Sequence, residues 1–228
     1  NPLIKKVAIF IHVNEKDYSK YIIQKQNEIK RNGIEIITIN TQTIHYQNNT
    51  EKTNSIKATK LIMNSKNDIN IVLPITTVNN INKIQKISSD IPKLFCCFPL
   101  IGSEQFNQPM IINSFKFSPN EARSTIFLKN TKSEKVNKNR ELLIQANELF
   151  KEILEYCIKN KYEDYFNLFT QEPISNQFID INWINEKIFK PRTNFLYEQP
   201  IVKTVNNQYL HVTSLYFPKD CSKEYREY

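Results

Sequence analysis

Three histidines, His12, His45 and His211, and four cysteines, at 96, 97, 157 and 221, are the side chains best suited to act as bases, nucleophiles or metal ligands. Metal binding needs several ligands at short spacing, and a thiol or hydroxyl nucleophile needs a paired base or a helix N-terminus to activate it. Neither condition is met. The histidines lie far apart, each within an apolar-alternating segment, and the cysteines form no CxxC and have no histidine at ligand spacing. They read as residues on strand faces and as free thiols in a reducing compartment. Cys96 and Cys97, adjacent on a predicted strand, point to opposite faces, which disfavours a bridge between them. The acidic pair Glu163-Asp164 falls on a predicted helix and reads as a solvated face.

Phosphate chemistry by backbone amides is equally restricted. Gly33 and Gly102 are the only glycines. A P-loop, a dinucleotide-binding turn and a glycine-rich ATP lid each need several, because a Cβ would keep the amides from the phosphate. What remains is one arginine in an informative place. Arg123 closes Ser118-Pro119-Asn120-Glu121-Ala122-Arg123, after two apolar strands and ahead of a long helix. A guanidinium stays charged and can grip phosphate oxygens with two parallel bonds. The plainer reading is that Arg123 pairs with a carboxylate at a helix start or caps a loop. Asn113 and Ser114 read as turn formers, with contact to a neighbouring domain as the other reading.

The elements that must position these residues follow from periodicity. Residues 4–13 are a short apolar run rich in β-branched side chains and predict a buried strand. Asn32-Gly33 predicts a hairpin between strands near 20–30 and 34–45, with a partly helical first segment as the other reading, because a type I′ turn needs positive φ at both central positions. Residues 47–55 read as a polar loop, and 56–63 should pair with 69–78 across residues 65–68. Residues 79–90 predict a short helix, then strands follow at 93–99 and 109–117, with Pro109 able to start a strand but not to sit in its middle. From Asn137 or Asn139, either a candidate cap, Leu142, Leu143, Ala146, Leu149, Phe150, Ile153, Leu154 and Cys157 recur at helical spacing. That helix runs to about 160, and a further helical piece covers 162–169. Asp180 is a candidate cap for a short helix that Pro191 stops, and 201–205 pairs with 208–217. Strands with helices grouped on one side predict an α+β fold: a mixed, mostly antiparallel sheet with a long helix packed on one face, and a smaller C-terminal helix and hairpin. Residues 1–172 form the main domain, and 173–228 an extension or the start of the next.

At residues 93–128 the sequence resembles sacsin-like, Hsp90-type ATPases. The resemblance rests on Phe98-Pro99-Leu100, Gln108-Pro109-Met110-Ile111-Ile112-Asn113, Phe115-Lys116-Phe117 and Asn120-Glu121-Ala122-Arg123. It extends to 139–169, Pro191-Arg192 and Gln199-Pro200-Ile201-Val202, while the first ninety residues fit only in strand pattern. Sacsin-type sequences often carry two adjacent arginines where this chain has Ala122-Arg123. The resemblance implies a transducer or middle domain, downstream of a nucleotide-binding domain, in a chaperone-like machine. It implies that Arg123 contacts the γ-phosphate of ATP held, with Mg, by that upstream domain, in the manner of an arginine finger. This fragment itself binds no cofactor on that reading, having no Asp-x-Gly-x-Gly. Its partner is its own N-terminal domain, and the resemblance leaves room for a homodimer.

The bulk numbers set the remaining bounds. The 228 residues are 40% hydrophobic and 11% aromatic, as in a globular protein. The chain starts at Asn1-Pro2 without an initiator Met and reads as a piece of something longer. No apolar run approaches the roughly 20 residues that cross a bilayer, and no signal-peptide pattern is present. A cytoplasmic location without membrane contact is the expectation. A net charge of +8 would suit nucleic acid, but the lysines are scattered through a sequence heavy in Asn, Ile and Lys. The alternative function is therefore a nucleic-acid- or protein-binding module of a defence or repair system, which would lose affinity steeply with salt if nucleic acid is its partner.

Overall fold

A computed structural model describes residues 6–31, 33–129, 132–170 and 178–215. Cys221, residues 4–5 of the first predicted strand, 216–217 of the last and the 172–173 boundary lie outside them. The described chain is α+β, with a nine-stranded mixed sheet, a long helix and a smaller C-terminal helix and hairpin.

Four strands pair in sequence order: β1 (Lys6–His12), β2 (Tyr18–Arg31), β3 (Ile34–Gln47) and β4 (Thr50–Lys66), each antiparallel to the next. Gly33 takes φ 83° in the β2–β3 turn, as the Asn-Gly signal requires. The predicted polar loop 47–55 is instead a tight turn at Asn48 and Asn49, with φ of 50° and 59°, after which β4 begins. Asn48 N–H donates to Asp17 Oδ1 at 2.9 Å, tying this turn to the one between β1 and β2. A second asparagine pair, Asn79-Asn80, turns β5 (Ile69–Val78) into β6 (Ile81–Ile84), where a helix was predicted. Asparagine adopts left-handed φ more readily than other non-glycine residues, so in this chain it does the work of the scarce glycine.

Three short strands complete the sheet: β7 (Leu94–Cys96), β8 (Phe98–Pro99) and β9 (Ile111–Asn113). The order is β1-β2-β3-β4-β5-β9-β7-β8, with β6 also on β5, and β7–β9 is the one parallel pair among the described strands. The predicted strands 93–99 and 109–117 are thus present but shorter.

Helix α1 (Glu134–Lys159) lies on one face of the sheet. Alternation along β5 buries Ile69, Ile71, Leu73 and Ile75, and cross-strand partners add Ile62 and Ile36. They meet Leu143, Ala146, Leu149, Phe150, Ile153 and Leu154 from α1. The helix starts at Ser133 and not at Asn137 or Asn139, with Glu134 in its first turn and Lys159 in its last, both favourable to the helix dipole. The predicted helix 162–169 is a single 3₁₀ turn, Tyr165–Leu168.

After Asp180, which caps as predicted by accepting the Trp183 N–H at 3.2 Å, come α2 (Ile181–Ile184), a π-turn over Asn185–Phe189 and α3 (Lys190–Tyr197). Pro191 was expected to end this helix. The wider π-turn just before it absorbs the missing N–H, and helical structure continues. β10 (Pro200–Lys203) and β11 (Tyr209–His211) then form a separate hairpin. Ile184, Ile188, Leu196 and Ile201 pack into the same core as the sheet and α1.

The far halves of β1–β4 extend past this core. β4 alone has 17 residues, about 55 Å at the usual rise, and its first nine are exposed. There Phe10, His12, Tyr18 and Tyr46 form a row of rings, the last two stacked at 4.4 Å. Among the described residues no helix is long and apolar enough to cross a membrane.

Candidate functional site: the Arg123 loop

Arg123 sits on a loop that is fixed at both stems and at its centre. Asn139, buried on α1, donates from Nδ2 to the Ser118 carbonyl at 2.9 Å and to the Phe127 carbonyl at 3.0 Å. Its Oδ1 accepts the Ser118 N–H at 2.8 Å. One helix side chain therefore clamps both strands of the loop, and Pro119 bridges to Ile126 just inside the clamp. The next residue, Arg140, donates from Nε and Nη2 to the Leu128 carbonyl and pairs with Asp180 at 2.8 Å. Its guanidinium also lies 4.7 Å from the Trp183 ring centroid.

Asn120 organises the interior. Its Oδ1 accepts the N–H of Ser124 at 2.8 Å and of Thr125 at 3.2 Å, while Nδ2 donates to Ser124 Oγ at 2.9 Å. The Arg123 N–H donates to the Asn120 carbonyl at 2.9 Å. The tight turn forces Arg123 to φ 50°, a conformation costly for a residue with a side chain. Gly102 presses against the same turn. A Cβ on it would stand 3.0 Å from the Ser124 Cβ and carbonyl oxygen, and its φ of 116° suits only glycine.

The side chain of Arg123 is exposed, and Nη2 donates to the Cys96 carbonyl at 3.1 Å. It makes no ion pair among the described residues. The carboxylate partner of the plainer reading is thus not found there, whereas a loop-tethering bond is. Cys97 is not the strand residue expected. It is the turn between β7 and β8, at φ 64°, with its N–H donating to Asn113 Oδ1 at 3.3 Å. Ser114 is fully buried, and its Oγ accepts the Lys116 N–H at 3.1 Å. Ser114 is therefore a turn former as expected, whereas Asn113 ends β9 and its side chain holds the β7–β8 turn.

Large apolar side chains stand in the open around this arginine. Phe98, Ile101 and Phe115 are 71%, 74% and 61% exposed. Phe98 lies opposite Cys96 across β7–β8, the Cys96 thiol reaches the Phe115 carbonyl at 3.9 Å, and Ile101 precedes the glycine packed on Ser124. Single exposed apolar residues are ordinary, whereas a group of them around a charged tip is a candidate contact surface.

The other candidates are not brought together. Ser19 Oγ lies 2.7 Å from His45 Nδ1 on an exposed strand, His12 joins the aromatic row, and His211 ends β11. Cys157 is buried, and desolvation raises its thiol pKa well above the ordinary range. No cluster of three His, Cys, Asp or Glu suited to a metal occurs among the described residues. Gly33 serves a hairpin turn and Gly102 a packing contact, so neither builds a phosphate cradle. Compared with known proteins, the chain matches no family model, no curated protein and no solved structure.

Proposed function

We propose that this chain is the transducer or middle domain of an Hsp90-like, sacsin-related ATPase, and that it lends Arg123 to a nucleotide held by a domain upstream. One observation carries the reading: the Arg123 guanidinium is exposed at the tip of a clamped loop, tethered to the Cys96 carbonyl and ringed by exposed Phe98, Ile101 and Phe115. A rigid cationic tip amid apolar contacts is what a domain needs to dock on a neighbour and place a charge there. The residues present fit one contact to phosphate, not a nucleotide site of their own. ATP with its magnesium would supply the phosphoryl group to be transferred.

The role of the arginine follows from electrostatics. A docked surface excludes water around the guanidinium, and its attraction for phosphate oxygens grows as the local dielectric falls. The tether to a neutral carbonyl holds the side chain in place without neutralising it. Because docking and phosphate contact share one surface, nucleotide state would bias domain closure. In such a machine the fragment works in the cytoplasm as part of a chaperone-like cycle.

The test joins the upstream domain to this chain and compares ATP turnover of wild type and Arg123→Ala. We expect kcat to fall on the order of a hundredfold or more, with ATP affinity retained. Unchanged turnover refutes the role.

A further inference from the structure

A second cationic feature lies apart from Arg123. Arg192, on α3, is 1% exposed. Its Nη1 donates to Gln108 Oε1 and its Nη2 to Thr170 Oγ1 at 3.3 Å, and the group lies 5.9 Å from the Phe189 ring centroid. Every one of these partners is neutral. Burial pushes the guanidinium pKa down to about 9, which still leaves it charged at neutral pH. A buried charge of this kind is normally paired with an opposite one.

Gln108 and Thr170 both line a cavity of about 250 Å³, so the Arg192 charge stands one residue layer behind its wall. Lys86 and Lys93 line the same cavity, with Asn107, Asn167 and Ser89. Lys93 is itself buried, and desolvation lowers its pKa while Glu104 and Asp90 act against that shift. Its Nζ donates to the Ser88 carbonyl at 2.7 Å and to that of Ile91. Against the three cations the described residues lining the cavity present one carboxylate, Glu104, which accepts the Gly102 N–H. Drug-sized ligands need roughly 300–1,000 Å³, so this space suits a smaller guest.

We propose that this cavity, walled by Lys86, Lys93, Gln108 and Thr170 and backed by Arg192, is a binding site for a small oxyanion of the phosphate or carboxylate class. The anion takes hydrogen bonds from the lysines and the Thr170 hydroxyl, and supplies the opposite charge that Arg192 lacks among the described residues. The site draws together the loop before β9, the segment ahead of β7 and α3, so its occupancy ties the C-terminal helix to the sheet.

The 228-residue chain is titrated with sodium phosphate and, separately, sodium acetate, each against sodium chloride at equal ionic strength. Calorimetry and thermal melting are the readouts. Saturable binding with a raised Tm is expected. Response to phosphate alone assigns the site to phosphate, and response to acetate as well assigns it to oxyanions in general. Lys86→Gln, at an exposed position, should weaken the binding about tenfold, the loss of one charge-assisted bond. Arg192→Gln should weaken it at least as much, and Thr170→Val replaces it should that variant not fold. Arg123→Ala should leave the affinity unchanged, so the site stands or falls separately from the proposed ATP contact. The proposal is overturned if neither anion exceeds chloride, or if Lys86→Gln together with Arg192→Gln or Thr170→Val leaves the affinity as it was.

Discussion

Replacing Asn120 by alanine separates the geometry of the loop from the charge it presents. The substitution removes one acceptor that serves two backbone N–H groups, Ser124 at 2.8 Å and Thr125 at 3.2 Å, and a donor to Ser124 Oγ. Thr125 is buried, so its amide has no ready access to water, and an orphaned buried donor costs about 1–3 kcal/mol. Ser124 is half-buried and can rehydrate, adding about 0.5–1 kcal/mol for its two lost bonds. The expected loss is about 1.5–4 kcal/mol, which for a chain of this size lowers Tm by roughly 3–16 °C. Asn120→Asp keeps the oxygen and should recover more than half of it. With the upstream domain attached, Asn120→Ala should also lose ATP turnover while Arg123 itself is intact, because the turn no longer aims it. The readouts are thermal melting and steady-state hydrolysis. If Asn120→Ala melts within about 1 °C of wild type, or Asn120→Asp falls as far as alanine, the amide is not the organiser argued here.

Two further outcomes rest on contacts of the same kind. Gly102→Ala places a methyl 3.0 Å from Ser124 at a φ of 116° and should cost about 2 kcal/mol or more by chemical denaturation; a neutral result means the loop relaxes freely. Glu163 bridges Lys203 of β10 at 2.7 Å and Lys83 of β6 at 3.0 Å, and hydrogen bonds from Lys203 and then Lys83 hold its carboxyl below the usual range. A depressed carboxylate stabilises the fold above its unfolded pKa of about 4.3 and loses that contribution as pH falls through the folded value. Glu163→Gln should therefore destabilise the fold at neutral pH by a surface-pair amount of about 0.5–1 kcal/mol, read as a Tm lower by roughly 1–4 °C, and converge with wild type in acid. A constant gap across the acid titration counts against the linkage.

What the sequence disclosed and what it hid have physical reasons. The stripe from Leu142 to Cys157 declared α1 because one face must be apolar at helical spacing. Gly33 declared the β2–β3 hairpin because glycine is rare here and conspicuous. The Asn48-Asn49 and Asn79-Asn80 turns were hidden by the reverse circumstance: asparagine is everywhere in this chain, so its pairs look like polar filler until their φ angles are seen. Asn139 misled as a cap because a buried asparagine on a helix interior has no use for local periodicity. Its three bonds go to residues 12 and 21 positions away. The type and place of Arg123 stand in the sequence, but its supports, Asn120, Gly102 and the Cys96 carbonyl, do not. Hydrogen bonds to backbone across a fold leave no trace in residue order.

The form of that support bears on what Arg123 is for. A structural arginine buries its charge against a carboxylate or several carbonyls, as Arg140 does with Leu128 and Asp180. Arg123 instead stays exposed, holds a left-handed φ and tethers itself to a neutral oxygen. The strain at Arg123 and Cys97 is of order 1–3 kcal/mol each, and the two clamping asparagines are what allow it to persist. Joining the loop to the β7–β8 hairpin does not itself require a cation, since a neutral donor would bond the Cys96 carbonyl equally well. On the proposed function, strain maintained to hold a positive charge outward, beside exposed Phe98 and Ile101, suits an anion arriving from another surface.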